Sequence, residues 1–576
     1  MITTIRRRDA VETKGWPDSV HPVLRRVYAG RGVAAHADID YRLVTLAEPA
    51  RLGGITRACE MLAEAIHSDQ CIVVVGDFDA DGATGTAVAV RGLRLLGARN
   101  VHYRVPHRQV HGYGLSVALV ETLTDPRPDL IVTVDNGIAS HAGIDAAKAR
   151  GIAVLVTDHH LPGASLPAAD AIVNPNSPGD TFASKALAGV GVMFCLLIAL
   201  RSHLRELNWF DKRSVAEPDL RCLLDLVALG TVADLVPLDR NNRVLVAAGL
   251  RRIRNGDACA GINALLVVGG RDPARIGASD LGFIVAPRIN AAGRLEDMAV
   301  GIECLLADDA SLARALAEQL SAINAERRHV QAAMTEQADA LVARWIATQG
   351  QATLPFGLCL FDPEWHPGVV GLVASRLKDR LHRPVIACAP AGEGSDEVRA
   401  SARSIGGFHV RDALAEVDAR HPGLIARFGG HAMAAGMTLR HADLPAFATA
   451  FDAVTREHLD EAQLHAVLLS DGELDGADFT FELARALRDG GPWGQGFAEP
   501  LFDNEFDLVS WRIVGERHWR MQLRLAGAAE VIESILFNAP DGEQPPTRLR
   551  ALYQLDIDEW NGRERVRLLI RHIESA

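Results

Sequence analysis

Two patterns alternate along the first part of the chain. Three short runs of consecutive apolar residues, Cys71 to Val75 (CIVVV), Leu130 to Val134 (LIVTV) and Ala153 to Val156 (AVLV), are rich in β-branched side chains and predict strands. Loops follow them, leading into helix-like segments such as Thr84 to Leu96 and Ser140 to Arg150. Strands alternating with helices predict βαβ units and a parallel sheet. Continuous apolarity, rather than alternation, means strands covered on both faces. Residues 1 to about 50 lack this order and are expected to pack as an extension on the first domain. Beyond Asp234 the strand signal thins. Ala310 to Thr348 reads as one long helix, with Leu312, Leu316, Leu320, Ile323 and Val330 as its apolar stripe. At ~1.5 Å per residue such a helix spans about 50 Å or more and is expected to bridge two domains. A second α/β region runs from about Leu354 to Phe451. A third begins near Leu464 and holds five short strands: Phe506 to Val514, Trp519 to Leu525, Val531 to Phe537, Arg548 to Ile557 and Arg565 to Ile573. Asn561-Gly562 between the last two is a tight-turn dipeptide. Five short strands in sequence predict a small β-barrel such as an OB-fold.

Composition narrows the class. A chain of 576 residues exceeds one core, which predicts three or four domains and excludes a small binding module. With 48% hydrophobic and 23% charged residues it is not disordered. Lys+Arg 60 against Asp+Glu 73 leaves a net charge of −13, which argues against a protein that coats DNA electrostatically. Sites built from carboxylates bias that total, so the sign alone does not decide. The eight cysteines form no CxxC pair and read as buried thiols of a reducing cytosol, with neither a disulfide frame nor a zinc site. The longest apolar run, Gly189 to Leu200, is well short of the ~20 residues of a membrane span, and no apolar stretch follows Arg6, Arg7 and Arg8. The expectation is a cytoplasmic protein, neither exported nor in a membrane.

The chemistry lies in three loops that follow predicted strands. Gly76-Asp77-Phe78-Asp79-Ala80-Asp81-Gly82 places carboxylates at alternate positions, Asp135-Asn136-Gly137 follows LIVTV, and Asp158-His159-His160 follows AVLVT. The carboxyl ends of neighbouring parallel strands open onto one crevice, so these loops converge. Four or five carboxylates brought together without cations cost several kcal/mol or shift strongly in pKa. Divalent metal is the natural compensation. An EF-hand does not fit, because the twelfth position from Asp77 is Val88 rather than Glu. Carboxylates with some imidazole and no thiolate suit Mg²⁺ or Mn²⁺, and two such ions suit phosphoester hydrolysis.

These loops resemble the DHH phosphoesterase superfamily, and the chain as a whole resembles its branch of bacterial single-stranded-DNA exonucleases. The resemblance rests on VVVGDFDADGATGTA (73–87), VPHRQVHGYGLS (105–116), TVDNGI (133–138), TDHH (157–160), LGTVADLVPL (229–238), PRINAAGRLED (287–297), WHPGVVG (365–371), SARSI (401–405), FGGHAMAAG (428–436) and GPWGQGF (491–497), in that order. One departure is His111, in the HGYG loop, where an acidic residue is expected. The resemblance implies an α/β multidomain protein. Its parts are an extension (1–50), a parallel-sheet DHH domain (51–240), a helical region with a long connecting helix (241–350), a second α/β domain of DHHA1 type (351–460) and a C-terminal OB-fold (461–576). It implies metal ligands at Asp77, Asp79, Asp81, Asp135, His159 and Asp234, with Asp135 bridging two Mn²⁺ or Mg²⁺ ions. His160 is implied to contact the scissile phosphate, and Asp158 to orient its neighbours.

The resemblance also implies a pocket for a 5′-terminal phosphate at Arg108, Arg288, Ser401 and Arg403, a chemistry suited to guanidinium forks. Asn290 and Arg294 would add contacts to the strand, and His431, after Gly429-Gly430, would bond the phosphate being cleaved. Tyr113 and Trp365 could stack on bases or could equally be core aromatics. In the barrel, Arg512, Arg517, His518, Arg520 and Arg524 interleave with Trp511 and Trp519, a pattern of single-strand platforms. The implied activity is metal-dependent 5′-to-3′ exonucleolytic hydrolysis of single-stranded DNA by a monomer, with a RecQ-type helicase and a single-strand-binding protein as partners. The alternatives are a phosphoesterase of short oligonucleotides and a catalytically inactive scaffold.

Overall fold

The first long apolar run becomes a four-residue strand with every side chain buried, and the sheet grows around it. A computed structural model describes residues 3–107, 110–349, 354–392, 394–540, 542–560 and 563–576. A strand at the start of the chain, β1 (Thr3–Arg7), pairs with β12 (Ala466–Ser470) outside the main sheets. The chain divides into two compact units, Arg7–Ile323 with Leu469–Ala576, and Asn324–Leu468 with the first six residues.

In the first unit, β2 (Ile72–Val75), β3 (Val101–Arg104), β4 (Leu130–Val134), β5 (Ala153–Thr157) and β6 (Ala171–Val173) form a parallel sheet in the order β3-β2-β4-β5-β6. The three predicted strands are present, within a residue at each end. Two further strands, VHYR and AIV, are too short to stand out as apolar runs. After β3 the chain returns to the other side of β2, so the switch point of the sheet lies between β2 and β4, where ligand crevices form. Helix Gly189–Glu206 carries the apolar run that was too short for a membrane and lies largely buried against the sheet-covering helix Ala80–Leu95. No helix among the described residues is long and apolar enough to cross a membrane.

The helical region ends in one helix, Ala310–Gln349. Its buried stripe is Ala313, Ala317, Leu320, Ile323, Met334, Ala338 and Val342, whereas Leu312, expected in the stripe, is 52% exposed. Leu320 and Ile323 lie in the stripe as expected, Leu316 and Val330 are half-buried beside it, and the stripe begins on small alanines that a search for leucine passes over.

The second unit holds a mixed sheet, β10-β11-β9-β8-β7, made of β7 (Leu358–Phe361), β8 (Val385–Pro390), β9 (Glu397–Arg403), β10 (Arg427–Gly430) and β11 (Ala434–Arg440). Only β7 and β8 run parallel. Phe408, Phe447 and Phe451 pack its core.

Back in the first unit, β13 (Phe502–Val514), β14 (His518–Leu525), β15 (Val531–Leu536), β16 (Arg548–Trp560) and β17 (Arg563–Ser575) close a barrel in the order β13-β14-β15-β17-β16. Asn561-Gly562, read as the turn between the last two strands, lies outside the described residues. Phe502, Phe506 and Tyr553 fill the interior. Trp519, offered as part of a stacking platform, is buried there too, with Trp511 against it at 5.7 Å between ring centroids. Of the eight cysteines, Cys222 is exposed, contrary to the expectation of buried thiols throughout.

The N-terminal segment joins the parallel-sheet domain to the approach of the barrel. Trp16 stacks on Tyr28 at 5.5 Å, Tyr28 on Trp493 at 5.8 Å, and Trp493 on Phe497 at 5.1 Å. Beneath this stack Arg31 and Asp471 form a fully buried bidentate pair, 2.7 and 3.0 Å. Removing one partner strands the other charge in the core. Asp471→Ala is therefore expected to lower the stability of the first unit by about 3 to 5 kcal/mol. Urea unfolding followed by tryptophan fluorescence checks this, and a loss below about 1 kcal/mol, the range of an exposed pair, contradicts it.

Candidate metal centre

Each of the three central strands delivers an acid at its carboxyl end. After β2, Asp79 caps helix Ala80–Leu95 by accepting the Gly82 N–H at 3.0 Å. Asp81, in the first turn, is buried and reaches the start of helix Gly189–Glu206, accepting the N–H groups of Gly189 at 2.6 Å and Val190 at 3.0 Å. After β4, Asp135 adopts a left-handed conformation, φ 63°, unusual for a residue with a Cβ. Asn136 fixes that turn, donating from Nδ2 to the carbonyls of Val75 at 3.0 Å and Val134 at 2.9 Å. A Cβ at Gly189 would stand 2.5 Å from the Asp135 Cβ, so only glycine admits this approach.

After β5, Asp158 is saturated with donors. Its Oδ1 accepts the backbone N–H groups of His159 at 2.7 Å and His160 at 3.0 Å and lies 2.8 Å from His160 Nδ1; its Oδ2 accepts the Ile138 N–H at 2.9 Å. Asn174 and Asn176, just after β6, hold the carbonyls of His160 at 2.9 Å and His159 at 2.6 Å. Asp234 arrives from the C-cap of helix Leu224–Ala233.

These side chains meet. His159 Nε2 lies 3.1 Å from Asp135 Oδ1 and 3.4 Å from Asp234 Oδ2. Three sets offer ligand atoms within 4.8 Å of one another: Asp77, Asp79 and Asp135; Asp81, His159 and Asp234; and Asp135, His159 and His160. Asp135 belongs to two of them. Its buried Oδ1 accepts no hydrogen bond from the described residues. Burial pushes the Asp135 carboxyl well above the usual range, and Asp81, Asp79 and Asp234 push it further. Burial, then Asp81, Asp79 and Asp77, raise Asp234, and burial with Asp79 brings Asp81 up to about 7 against the pull of its two backbone donors. Burial alone would raise Asp158, but His160 and the backbone donors outweigh it and hold it low. His160 goes the other way: burial would lower it, and Asp158, Asp77 and Asp79 raise it. An acceptor without a donor, in a nest of oxygens plus imidazole and no thiolate, is the donor set of a hard divalent cation.

The remaining predicted residues are placed as follows. Tyr113 is 49% exposed, yet its hydroxyl donates to the Asp135 carbonyl at 3.3 Å, and its ring meets His160 edge-on at 6.2 Å. Asn290 does not hold its amide oxygen open for a strand: Oδ1 accepts the Ala80 N–H at 2.8 Å and steadies the first loop. Arg288 and Arg294 lie on the same helix, Ala286–Leu295, with Arg288 Nη1 donating to the Ile284 carbonyl. Arg108 lies outside the described residues. In the second unit, Ser401 and Arg403 stand two residues apart on β9, hence on one face. A Cβ at Gly371 would meet Arg403 Nη2 at 2.8 Å and Ser401 Oγ at 3.4 Å, so this glycine makes room for both. His431 is exposed in the turn between β10 and β11, after Gly430 at φ 145°. Trp365 is corrected: it is 2% exposed, its indole N–H donates to Gln337 Oε1 at 2.9 Å, and no face is open to a base. Asn136, Asn174, Asn176 and Gly189 were missed. The Asn-Pro-Asn after β6 was a legible strand-end signal once that strand was known.

The raised carboxyls set a pH dependence. In the metal-free protein Asp81, Asp135 and Asp234 bind protons more tightly than unfolded carboxyls at about 4. Their contribution to stability is complete below that value and is lost as pH rises through their raised folded values, about 7 for Asp81. Divalent cation replaces those protons and binds better as pH rises. The rise in Tm on adding Mn²⁺ is thus expected to be larger at pH 8 than at pH 6, by differential scanning fluorimetry, and equal rises contradict the cluster as a cation site.

Comparison with known proteins agrees with this geometry. Residues 71–231 match the DHH family, N-terminal domain; 352–457 match the DHHA1 domain; and 470–572 match the RecJ OB domain. The single-stranded-DNA-specific exonuclease RecJ of Dickeya dadantii is 51% identical over 576 residues, all of this chain and 99% of the relative. The crystal structure of RecJ from Thermus thermophilus in complex with Mn²⁺ superposes with a TM-score of 0.80 at 31% identity, covering 99% of this chain and 80% of that one. The Mg²⁺ complex of the same protein gives 0.75 at 29%, covering 99% and 79%. A colinear match of this extent, over a parallel sheet with acids at its strand ends and a closed C-terminal barrel, means that the chain belongs to the RecJ family of DHH-domain exonucleases.

Proposed function

We propose that this chain is a metal-dependent exonuclease that degrades single-stranded DNA in the 5′-to-3′ direction, releasing 5′-mononucleotides, in DNA repair and recombination. The observation that carries the reading is that Asp77, Asp79, Asp81, Asp135, His159 and Asp234 fall into overlapping groups of three, each with ligand atoms within 4.8 Å, at the switch point of the sheet. In the proposed site these six hold two divalent ions, Mn²⁺ or Mg²⁺, with Asp135 shared. Bound there, such ions supply charge stabilisation at the phosphate and activation of the attacking water.

The protein's own groups do the rest. His160, whose imidazolium form Asp158 favours, reaches the scissile phosphate and neutralises developing charge on it. Asp158 acts through His160 and through the main chain that aims both imidazoles. Tyr113, anchored to the Asp135 carbonyl with part of its ring exposed, offers a base a surface beside the reaction. On β9, Ser401 and Arg403 offer a hydroxyl and a guanidinium to a 5′-terminal phosphate, and His431 of the same unit offers an imidazole to the phosphate being cleaved; in the other unit Arg108 and Arg288 are read for a terminal phosphate and Asn290 and Arg294 for the strand. The proposed enzyme is a cytoplasmic monomer, supplied with unwound strand by a RecQ-type helicase and working beside a single-strand-binding protein. Both partners follow from the family resemblance.

End-labelled single-stranded DNA, duplex DNA and a dinucleotide, each with Mn²⁺ or Mg²⁺ and with chelator, test the reading. Only the single strand with metal is expected to yield mononucleotides, and equal cleavage of the duplex or of the dinucleotide contradicts it. Asp135→Ala is expected to abolish cleavage while leaving strand binding measurable. Asp158→Asn is expected to reduce cleavage by about 10- to 100-fold. Arg403→Ala should erase the preference for 5′-phosphorylated over 5′-hydroxyl ends, and equal loss on both substrates argues against a terminal-phosphate pocket.

A further inference from the structure

Arg327 lies in the middle of helix Ala310–Gln349, and two neutral amides of that helix aim its guanidinium. Nη1 donates to Gln331 Oε1 at 3.0 Å and Nη2 to Asn324 Oδ1 at 2.8 Å. Both amides are buried, Asn324 at 3% and Gln331 at 8% exposure, and they orient the guanidinium without neutralising it. Its Nε–H has no acceptor among the described residues. A guanidinium has five N–H donors, so most of its capacity is unused.

The charges around it have the same sign. Arg328, on the same helix, and Arg376, on helix Val370–Leu381, both act on Arg327, and with burial they oppose its positive charge. Among the described residues no carboxylate forms an ion pair with any of the three. The helix that brings Arg376 is fixed against the long helix by the Arg380–Asp339 pair at 2.7 Å, and Trp365, just before it, is anchored by its bond to Gln337. Arg380 thus has an acid where Arg376, one turn earlier, has none. Three like charges on two packed elements, Arg327 half-buried and pre-aimed by amides and Arg328 and Arg376 exposed, leave a positive patch that no carboxylate among the described residues balances. A polyanion with several oxygens balances it.

We infer that Arg327, Arg328 and Arg376 form a second phosphate site in this unit, one that grips the phosphodiester backbone of the single strand and is distinct from the terminal-phosphate residues Ser401 and Arg403. The inference rests on the single-strand nuclease reading. It gives the long helix a binding role in addition to a connecting one.

The test is strand binding by the full chain in EDTA, where cleavage is blocked, with a 3′-labelled single-stranded oligonucleotide followed by anisotropy across a KCl series. Arg328→Gln/Arg376→Gln, at exposed positions, and Arg327→Gln are compared with wild type after melting curves establish folding. Each lost contact is expected to take about 0.7 off the slope of log affinity against log salt and to weaken binding by about tenfold. The preference for 5′-phosphorylated ends should be unchanged. An unchanged slope and affinity in the folded double variant overturn the site, and loss of the end preference would reassign these arginines to the terminal pocket. Competition by a millimolar deoxynucleoside monophosphate in wild type but not in the variants would reassign the site to free nucleotide. Wild-type protein that binds no single strand overturns the nuclease reading itself, whereas wild-type binding with unaltered variants overturns this inference alone.

Discussion

The fold is organised around acids that water cannot solvate. Asp77, Asp81 and Asp135 are buried together at the ends of two neighbouring strands, with Asp79, Asp234 and His159 closing over them. Like charges at such separations, out of water, repel by several kcal/mol unless they bind protons or cations. The protein treats two of its carboxylates in opposite ways. Asp158 receives donors on both oxygens and remains ionised as the partner of His160. Asp135 is denied a donor on Oδ1, is held in a left-handed turn, and is pressed by its neighbours toward the protonated form. The first is a fixed prop and the second a seat for positive charge. One residue type serves both roles because backbone N–H groups surround one and not the other.

Keeping such a cluster assembled requires a rigid frame, and the packing supplies it. The central strands are buried on both faces, and their ends are pinned by the close approach of Gly189 to Asp135 and by Asn136 bridging β2 and β4. The same core continues through Tyr28, Trp493 and Phe497 into the barrel. GPWGQGF, a segment that carries part of the family resemblance, therefore acts as an aromatic joint: Trp493 stacks with Tyr28 and Phe497, and Arg243 lies over the Phe497 ring at 4.2 Å.

What could be read from the chain follows from the range of the forces involved. The buried strands were legible because burial on both faces writes an unbroken apolar run, and the acids after them because a parallel sheet brings strand ends together. β3 and β6 were not, since three or four residues at the flanks of the sheet leave too little pattern. Asp234 was invisible to local reasoning: nothing about a helix-end acid reports that folding carries it 3.4 Å from His159, and only resemblance pointed to it. Trp365 shows the converse error. An aromatic inside a family segment suggested a base platform, but its partner is Gln337, on another element. Asn290, among basic residues, also has a long-range contact, its Oδ1 accepting the Ala80 N–H. In each case a long-range contact decided the role, and periodicity carries no trace of it.

Charge is where local and global readings separate most. A net charge of −13 does not describe where an anion can bind, and neither does a count of arginines. On the barrel, Arg520 and Arg565 share Glu533, Arg567 bridges Asp556 and Asp558, Arg548 meets Glu505, and Arg550 meets Asp503. Those cations are already answered, Arg520 of the residues read as a platform among them, and Trp519 is in the interior; Arg512 and Arg517, read with them, form no ion pair among the described residues. Among the described residues Arg403 bonds to its neighbour's carbonyl and Arg327 to two amides. An arginine paired with an acid must break that pair to bind phosphate; one held by neutral groups need not. The guanidinium groups without a counterion among the described residues are therefore the ones a nucleic-acid backbone could meet at least cost, and a protein need not be basic overall to present them.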